Sequence, residues 1–99
     1  MALDAIVLNR ADNVATALQD LRACQEATFR LNRELGKIGI NEDIPYGHKF
    51  TVRPVSKGDE ILKYGEVIGR ATKDIGAGRH AHVQNIESLR GRGDLPKEA

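Results

Sequence analysis

The sequence predicts a mostly β domain of short strands and hairpins, and three observations carry that expectation. Turn formers crowd the stretch from Ile44 to Asn85, which holds six of the ten glycines, two of the three prolines, both tyrosines and all three histidines. That density of punctuation between short apolar runs suits strands rather than helices. Three segments, residues 17–27, 51–61 and 71–81, share one template: a short run, then Asp or Pro, an aliphatic residue, two spacers, Gly (Cys24 in the first copy), two polar residues and a small or apolar one. The template reads as strand, tight turn, strand, with glycine supplying the positive φ. Finally, Ala27, Phe29 and Leu31 alternate with Thr28, Arg30 and Asn32, which is the period of a half-buried strand.

Taken in order, Ala5 to Leu8 is a short apolar run that reads as a buried strand. Asp12 and Asn13 can bond their own backbone and open a turn or cap a helix. The alanines and leucines after them permit one helix of a few turns at residues 12–18, although the shared template favours a strand there. The lack of glycine at Cys24 predicts a different geometry for that turn. Arg33 to Gly36 reads as the turn ending the strand of Phe29, after which Ile38 and Ile40 resume alternation until Asn41 to Pro45 breaks it. Phe50, Val52 and Val55, then Ile61 and Leu62, then Val67 and Ile68 supply three more strands, the last two joined by a turn at Lys63 to Glu66. Val83 and Ile86 continue the strand that carries His80 and His82. Residues 1–89 thus form the domain, and the Gly- and Arg-rich residues 90–99 read as a tail or linker. The copies are unevenly spaced, which excludes a solenoid of fixed period.

Composition narrows the class. The chain has 99 residues, 40% hydrophobic and 29% charged, but only 4% aromatic with no tryptophan. A core built from Ile, Val, Leu and Ala alone is light for this size, which favours association with a partner chain or a second copy. A net charge of +1 gives no electrostatic case for nucleic acid or an anionic membrane. No apolar run approaches the length of a membrane span or a signal-peptide core. The lone Cys24 excludes an internal disulfide and fits a reducing compartment, so the expected location is the cytoplasm.

The candidate chemistry lies in the later half. Residues two apart on a strand share a face, so His80, His82 and Gln84 would form one polar row. Two imidazoles at that spacing can hold one divalent metal, or divide acid–base and orienting roles; an exposed polar strand face is the plain alternative. His48 follows Tyr46-Gly47 on a loop after a proline, where binding groups concentrate. Lys63, Arg70, Lys73 and Arg79 can attract a carboxylate. No phosphate loop, nucleophile motif or C-x-x-C occurs in the sequence.

Several pieces together carry a family resemblance: Asp12-Asn13-Val14-Ala15 with Asp20-Leu21, Asp43 to Lys49, Lys63-Tyr64-Gly65 with Ile68-Gly69-Arg70-Ala71, His80-Ala81-His82-Val83 with Asn85, and Arg90 to Asp94. In this order they resemble the SAF-type domain of the altronate/galactarate dehydratases, sugar-acid hydro-lyases. The resemblance implies a β-clip fold, a long hairpin doubled over itself. It also implies a small subunit of a sugar-acid dehydratase, inactive alone and acting with a separate large catalytic subunit on altronate, galactarate or a related acid such as sulfolactate. On that reading His80, His82 and His48 assist catalysis, Lys63, Arg70 and Lys73 hold the anionic substrate, and His80 and His82 can touch a metal. The metal would be iron(II), held mainly or wholly by the partner. The alternative is a non-catalytic binding module for an anionic carbohydrate or a regulatory partner.

Overall fold

A computed structural model describes residues 3–31 and 34–88, and the predicted tail lies outside them. Nine strands and no helix occur among the described residues. Six form one sheet in the order β4-β3-β1-β2-β5-β8: β1 is Ala5–Ile6, β2 Val14–Ala17, β3 Glu26–Leu31, β4 Glu34–Gly39, β5 Lys49–Thr51 and β8 His80–Ala81. The other three, β6 (Glu60–Lys63), β7 (Glu66–Ala71) and β9 (Ile86–Ser88), form a second sheet. All pairs are antiparallel except β1 with β3. The mostly β expectation is met.

Tight corners organise the chain, and there are four of them. Residues 17–26, 40–49, 51–60 and 71–80 follow the same course: extended chain, an aliphatic residue in an isolated bridge, a turn, then a strand. They couple in pairs. Leu21 and Ile44 exchange both backbone hydrogen bonds at 2.8 Å, as do Val55 and Ile75. In each corner the third residue after the aliphatic one takes positive φ: Cys24 (76°), Gly47 (84°), Gly58 (92°) and Gly78 (76°). Its amide then donates to the opposite corner, Cys24 to Ile40, Gly47 to Ala17, Gly58 to Ala71 and Gly78 to Thr51, at 2.8–2.9 Å. Side chains repeat the exchange: Asp43 accepts from the Ala23 amide, Asp20 from Tyr46 and Asp74 from Lys57. Pro54 occupies the fourth equivalent position and has no carboxylate to offer.

Two sequence expectations are corrected here, at Cys24 and at Glu34 to Gly36, while the strand favoured over a helix at residues 12–18 is met by β2. Cys24 shares the geometry of the glycine corners, because the cross-corner bond to Ile40 fixes its φ and outweighs the cost of a left-handed side chain. Residues 12–18 hold no helix. Asp12, 2% exposed, accepts from the amides of Tyr64 and Gly65, and Asn13 bonds Glu60 O and the Leu62 amide, so both side chains clamp the distant β6–β7 hairpin instead of capping their own segment. Glu34, Leu35 and Gly36 lie in β4, not in a turn; the Phe29 ring covers Gly36 so closely that a Cβ there would meet it at 2.6 Å.

Two apolar clusters hold the layers. One gathers Ala5, Val7, Ala15, Ala17, Leu21, Ala27, Ile40, Ile44 and Phe50; the other gathers Val14, Val55, Ile61, Ala71, Ile75 and Ala81. Phe50 of β5 belongs to the first and Ala81 of β8 to the second, so the β5–β8 pair is pinned from both faces. That rigid pair carries the histidines.

Candidate functional site

The register of β5 and β8 brings distant histidines together. Phe50 faces His80 and Lys49 faces Ala81 across the ladder. Continuing that register by one residue sets His48 opposite His82. The three rings stack accordingly, with centroids 4.4 Å apart for His48 and His82, 5.1 Å for His48 and His80, and 5.5 Å for His80 and His82. One nitrogen from each ring lies within 4.8 Å of the others, and all three residues are half-buried. His48, the least constrained of the sequence candidates, is therefore a full member of the cluster.

Hydrogen bonds fix the rings and their protons. The Gln84 side-chain nitrogen, which can only donate, lies 3.0 Å from His80 Nδ1. His80 Nδ1 thus accepts, leaving the proton on Nε2 to be donated to His48 Nδ1 at 2.8 Å. His82 Nδ1 is buried with no hydrogen-bond partner among the described residues. Burial lowers the pKa of His80, and His48, His82 and Lys49 add to the effect against an opposing contribution from Glu42. Burial likewise lowers that of His82, helped by Lys49 and His48. Imidazoles that resist protonation keep lone pairs for a cation. The orphaned His82 nitrogen is the open lone pair of the cluster, and His48 and His80 would join it in holding a divalent metal by giving up the hydrogen bond between them; three such protein ligands match catalytic sites more than closed structural ones.

The support around the cluster was not evident in the sequence. The strand expected through Val83 and Ile86 ends at Ala81: His82 to Asn85 form a turn, and Ile86 joins the other sheet through β9. Asn85 holds that turn, accepting from the His82 amide at 2.9 Å and donating to His80 O at 2.8 Å. Glu42 accepts from the His80 amide. Gln84 consequently meets His80 from a turn rather than as the third member of a strand row. The Asn85 signal was present only as a polar residue shortly after H-x-H.

The expected cations divide. Lys63 lies close enough to Lys49 to lower its pKa, second to burial, and lines a cavity of about 460 Å³ with Tyr64, Glu66, Ile68 and Ser88. Arg70 sits on β7 opposite Glu60 and Glu87, and Lys73 is exposed on a corner; neither is among the charges acting on His80 or His82. The cation that does act on both is Lys49, which sequence reading passed over.

The described residues form a small two-sheet β domain that gathers three imidazoles at a sheet edge. The chain belongs to the altronate/galactarate dehydratase SAF domain family, whose model matches residues 3–89. It is 36% identical to altronate dehydratase from Bacillus subtilis and 38% identical to that from Escherichia coli, each over 83 residues that make up 84% of this chain and 16% of the relative. It is also 40% identical over 54 residues to the (2R)-sulfolactate sulfo-lyase subunit alpha of Paracoccus pantotrophus, covering 54% of this chain and 81% of that one. The chain thus spans about one sixth of the dehydratases it matches. No helix among the described residues is long and apolar enough to cross a membrane.

Proposed function

We propose that this chain is the small subunit of a lyase that eliminates a leaving group from a hydroxy acid, a sugar-acid dehydratase in the first instance, and that it completes an active site carried mainly by a large chain. The observation that carries this reading is the His48–His80–His82 cluster, found in a domain shared by proteins named for elimination reactions. Those names differ in what leaves, water from altronate and the sulfo group from sulfolactate. A shared domain would then serve what the reactions have in common: holding the acid and managing charge as a proton is lost beside its carboxylate.

The three imidazoles would hold a divalent cation, iron(II) in the family-based expectation, at the boundary with the large chain. When bound, that ion would supply Lewis-acid polarisation of substrate oxygens. The sequence alone assigned the ion mainly or wholly to the partner; the gathering of three donors in this chain argues for a shared site. Gln84 and Asn85 orient His80 and the turn of His82, so the donors are held in place before any ligand arrives. Burial keeps His80 and His82 unprotonated, the form in which either could act as a base when it is not bound to the cation.

The test is reconstitution with the large chain from the same source, assayed on altronate, galactarate and sulfolactate with and without iron(II). The small chain alone should be inactive, the complex active, and the His80→Ala/His82→Ala complex assembled but impaired. Full turnover by the isolated chain, or unchanged turnover by the double variant, would overturn the reading.

A further inference from the structure

β4 forms one outer edge of the larger sheet, on the side opposite the β8 edge that carries the histidines. Its residues pair with β3 in unbroken register, from Glu34 with Leu31 to Gly39 with Glu26, and neither proline nor bulge interrupts them. A strand of this kind offers a second row of backbone donors and acceptors on its far side. Thr28 shows which residues own that row. Its carbonyl accepts from the Asp4 amide at 2.8 Å and its amide donates to Asp4 Oδ2 at 2.9 Å, so both groups turn away from β4. In an antiparallel ladder the two residues of a pair either bond each other or both face away. Lys37, opposite Thr28, therefore turns its amide and carbonyl outwards, and so does Leu35 two residues earlier. Gly39 has the same orientation, but the corner at residues 71–80 closes over it: a Cβ at Gly78 would lie 2.0 Å from Gly39 O. The open groups are the amides and carbonyls of Leu35 and Lys37, which meet no other strand among the described residues.

That edge is complementary to itself. Antiparallel pairing of two β4 strands joins residues that both face outwards, so the two-fold axis passes through a residue, and three axes are available. An axis through Lys37 sets the two ammonium groups opposite each other and brings Leu35 against the covered Gly39. One through Leu35 carries Lys37 past the first residue of β4, Glu34. An axis through Gly36 pairs Leu35 of each copy with Lys37 of the other, and every open amide and carbonyl on both strands is then bonded. Lysine on an edge ordinarily guards against pairing, yet this axis faces it with leucine. The side chains fit the same register. Gly36 falls in a non-bonded pair, where Cα atoms approach to about 4.5 Å, and the Phe29 ring already covers it, so two such rings would flank the axis on one face. On the other face Leu35, 55% exposed, would pack against the methylene stem of the opposing Lys37.

We propose that β4 is a self-association edge, and that a second copy of this chain joins it antiparallel about Gly36 to make one continuous sheet. Two edges meeting over residues 34–38 bury well under the about 800 Å² per partner of a standard interface, so the dimer is weak and depends on concentration. Both β8 edges, with their histidine clusters, remain at the far ends of the joined sheet. The proposal does not rest on the lyase reading.

The test is sedimentation velocity of the metal-free 99-residue chain from about 10 μM to about 1 mM, with chelator present so that no cation bridges two clusters. The mass should rise towards twice that of the monomer. Over the same range hydrogen exchange at the Leu35 and Lys37 amides should slow, while the Gly36 and Ile38 amides, bonded to β3, should not respond. Leu35→Lys sets an ammonium against each Lys37 and should raise the dimer dissociation constant about tenfold or more. Leu35→Lys/Lys37→Glu should restore near wild-type association, because the Gly36 axis makes these two positions cross-strand partners. Both side chains are exposed, so melting temperatures of dilute samples should stay close to wild type. A chain that remains monomeric at about 1 mM, or a wild-type dissociation constant in Leu35→Lys, overturns the self-association edge. A dimer lost in Leu35→Lys and not recovered in the double variant overturns the Gly36 register, and the exchange measurement decides the edge without any variant.

Discussion

Adding a divalent metal to the isolated chain should raise its melting temperature, and His82→Ala should remove most of that gain. A ligand that binds only the folded state stabilises by about 2.7 kcal/mol when present at a hundredfold excess over its dissociation constant. For a chain of 99 residues each kcal/mol corresponds to about 4–8 °C, so the shift should be roughly 10–20 °C. His82 is the informative position because its metal-free effects oppose one another. Removing the ring loses its 4.4 Å stacking on His48 but also removes a buried nitrogen with no partner, a group that costs about 1–3 kcal/mol to bury. The metal-free melting temperature of the variant should therefore stay within a few degrees of wild type, while two remaining imidazoles bind far more weakly than three. Calorimetry with iron(II), manganese(II) and zinc(II), each reversed by chelator, measures both quantities. A wild-type shift retained in His82→Ala, or no shift with any of the three ions, would refute the metal assignment.

Other outcomes follow from the same geometry. Asn85→Ala leaves the His82 amide without its partner and the His80 carbonyl with only a long 3.4 Å contact from Gln84, and should cost about 1–3 kcal/mol in a denaturant titration, with a matching loss of metal affinity. Among the corners, Gly58→Ala meets no neighbour within 4 Å and should cost only the left-handed penalty of about 1–2 kcal/mol, whereas Gly78→Ala would place its Cβ 2.0 Å from Gly39 O and should cost several-fold more. Cys24→Gly should stabilise by up to about 1 kcal/mol, because the positive φ is already imposed. His80 and His82 have lowered pKa values in the fold, so the unfolded chain binds their protons first; stability should be fully present above about pH 6.5 and fall as pH drops through the folded values. Melting curves of the metal-free chain across that range, compared with His80→Ala/His82→Ala, check the sign.

What the sequence disclosed was local, and what it hid was pairing. The corner at residues 51–60 was legible because Gly58 marks the positive φ, and Gly78 marked its counterpart at 71–80. The corner at 40–49 has the same Asp-aliphatic-x-x-Gly pattern but was read as a break, since Pro45 follows directly on Ile44 and the copy abuts the next one. Asp12 resembled a helix cap because such a cap is a local device; its actual partners, Tyr64 and Gly65, are more than fifty positions away. The histidines show the same limit. Period-two reasoning linked His80 with His82, whereas His48 joins them through the β5–β8 register, which no spacing reveals.

The same placement supports the proposal that a second chain completes the site. β8 contributes only His80 and Ala81 and forms the outer edge of the larger sheet, so the cluster lies where the protein's own strands run out. The residues flanking it in sequence include two of the most exposed apolar side chains, Val83 at 83% and Tyr46 at 68%. An elimination requires a base, an acid and a receptor for negative charge. The described cluster offers imidazoles and cations, while its nearby carboxylate, Glu42, is engaged by the His80 amide. Acidic ligands that would complete a cation's shell, and a carboxylate base opposing the lysines, are the groups this face lacks and tolerates best on electrostatic grounds. A large chain that presents them across Tyr46 and Val83 would bury that apolar rim and neutralise the cationic face in one docking event. Val83→Asp, which adds a charge without touching the cluster, should therefore weaken assembly and leave metal binding by the small chain intact. Sedimentation of the mixed chains beside the metal-induced thermal shift separates the two, and normal assembly by the variant would move the docking face elsewhere.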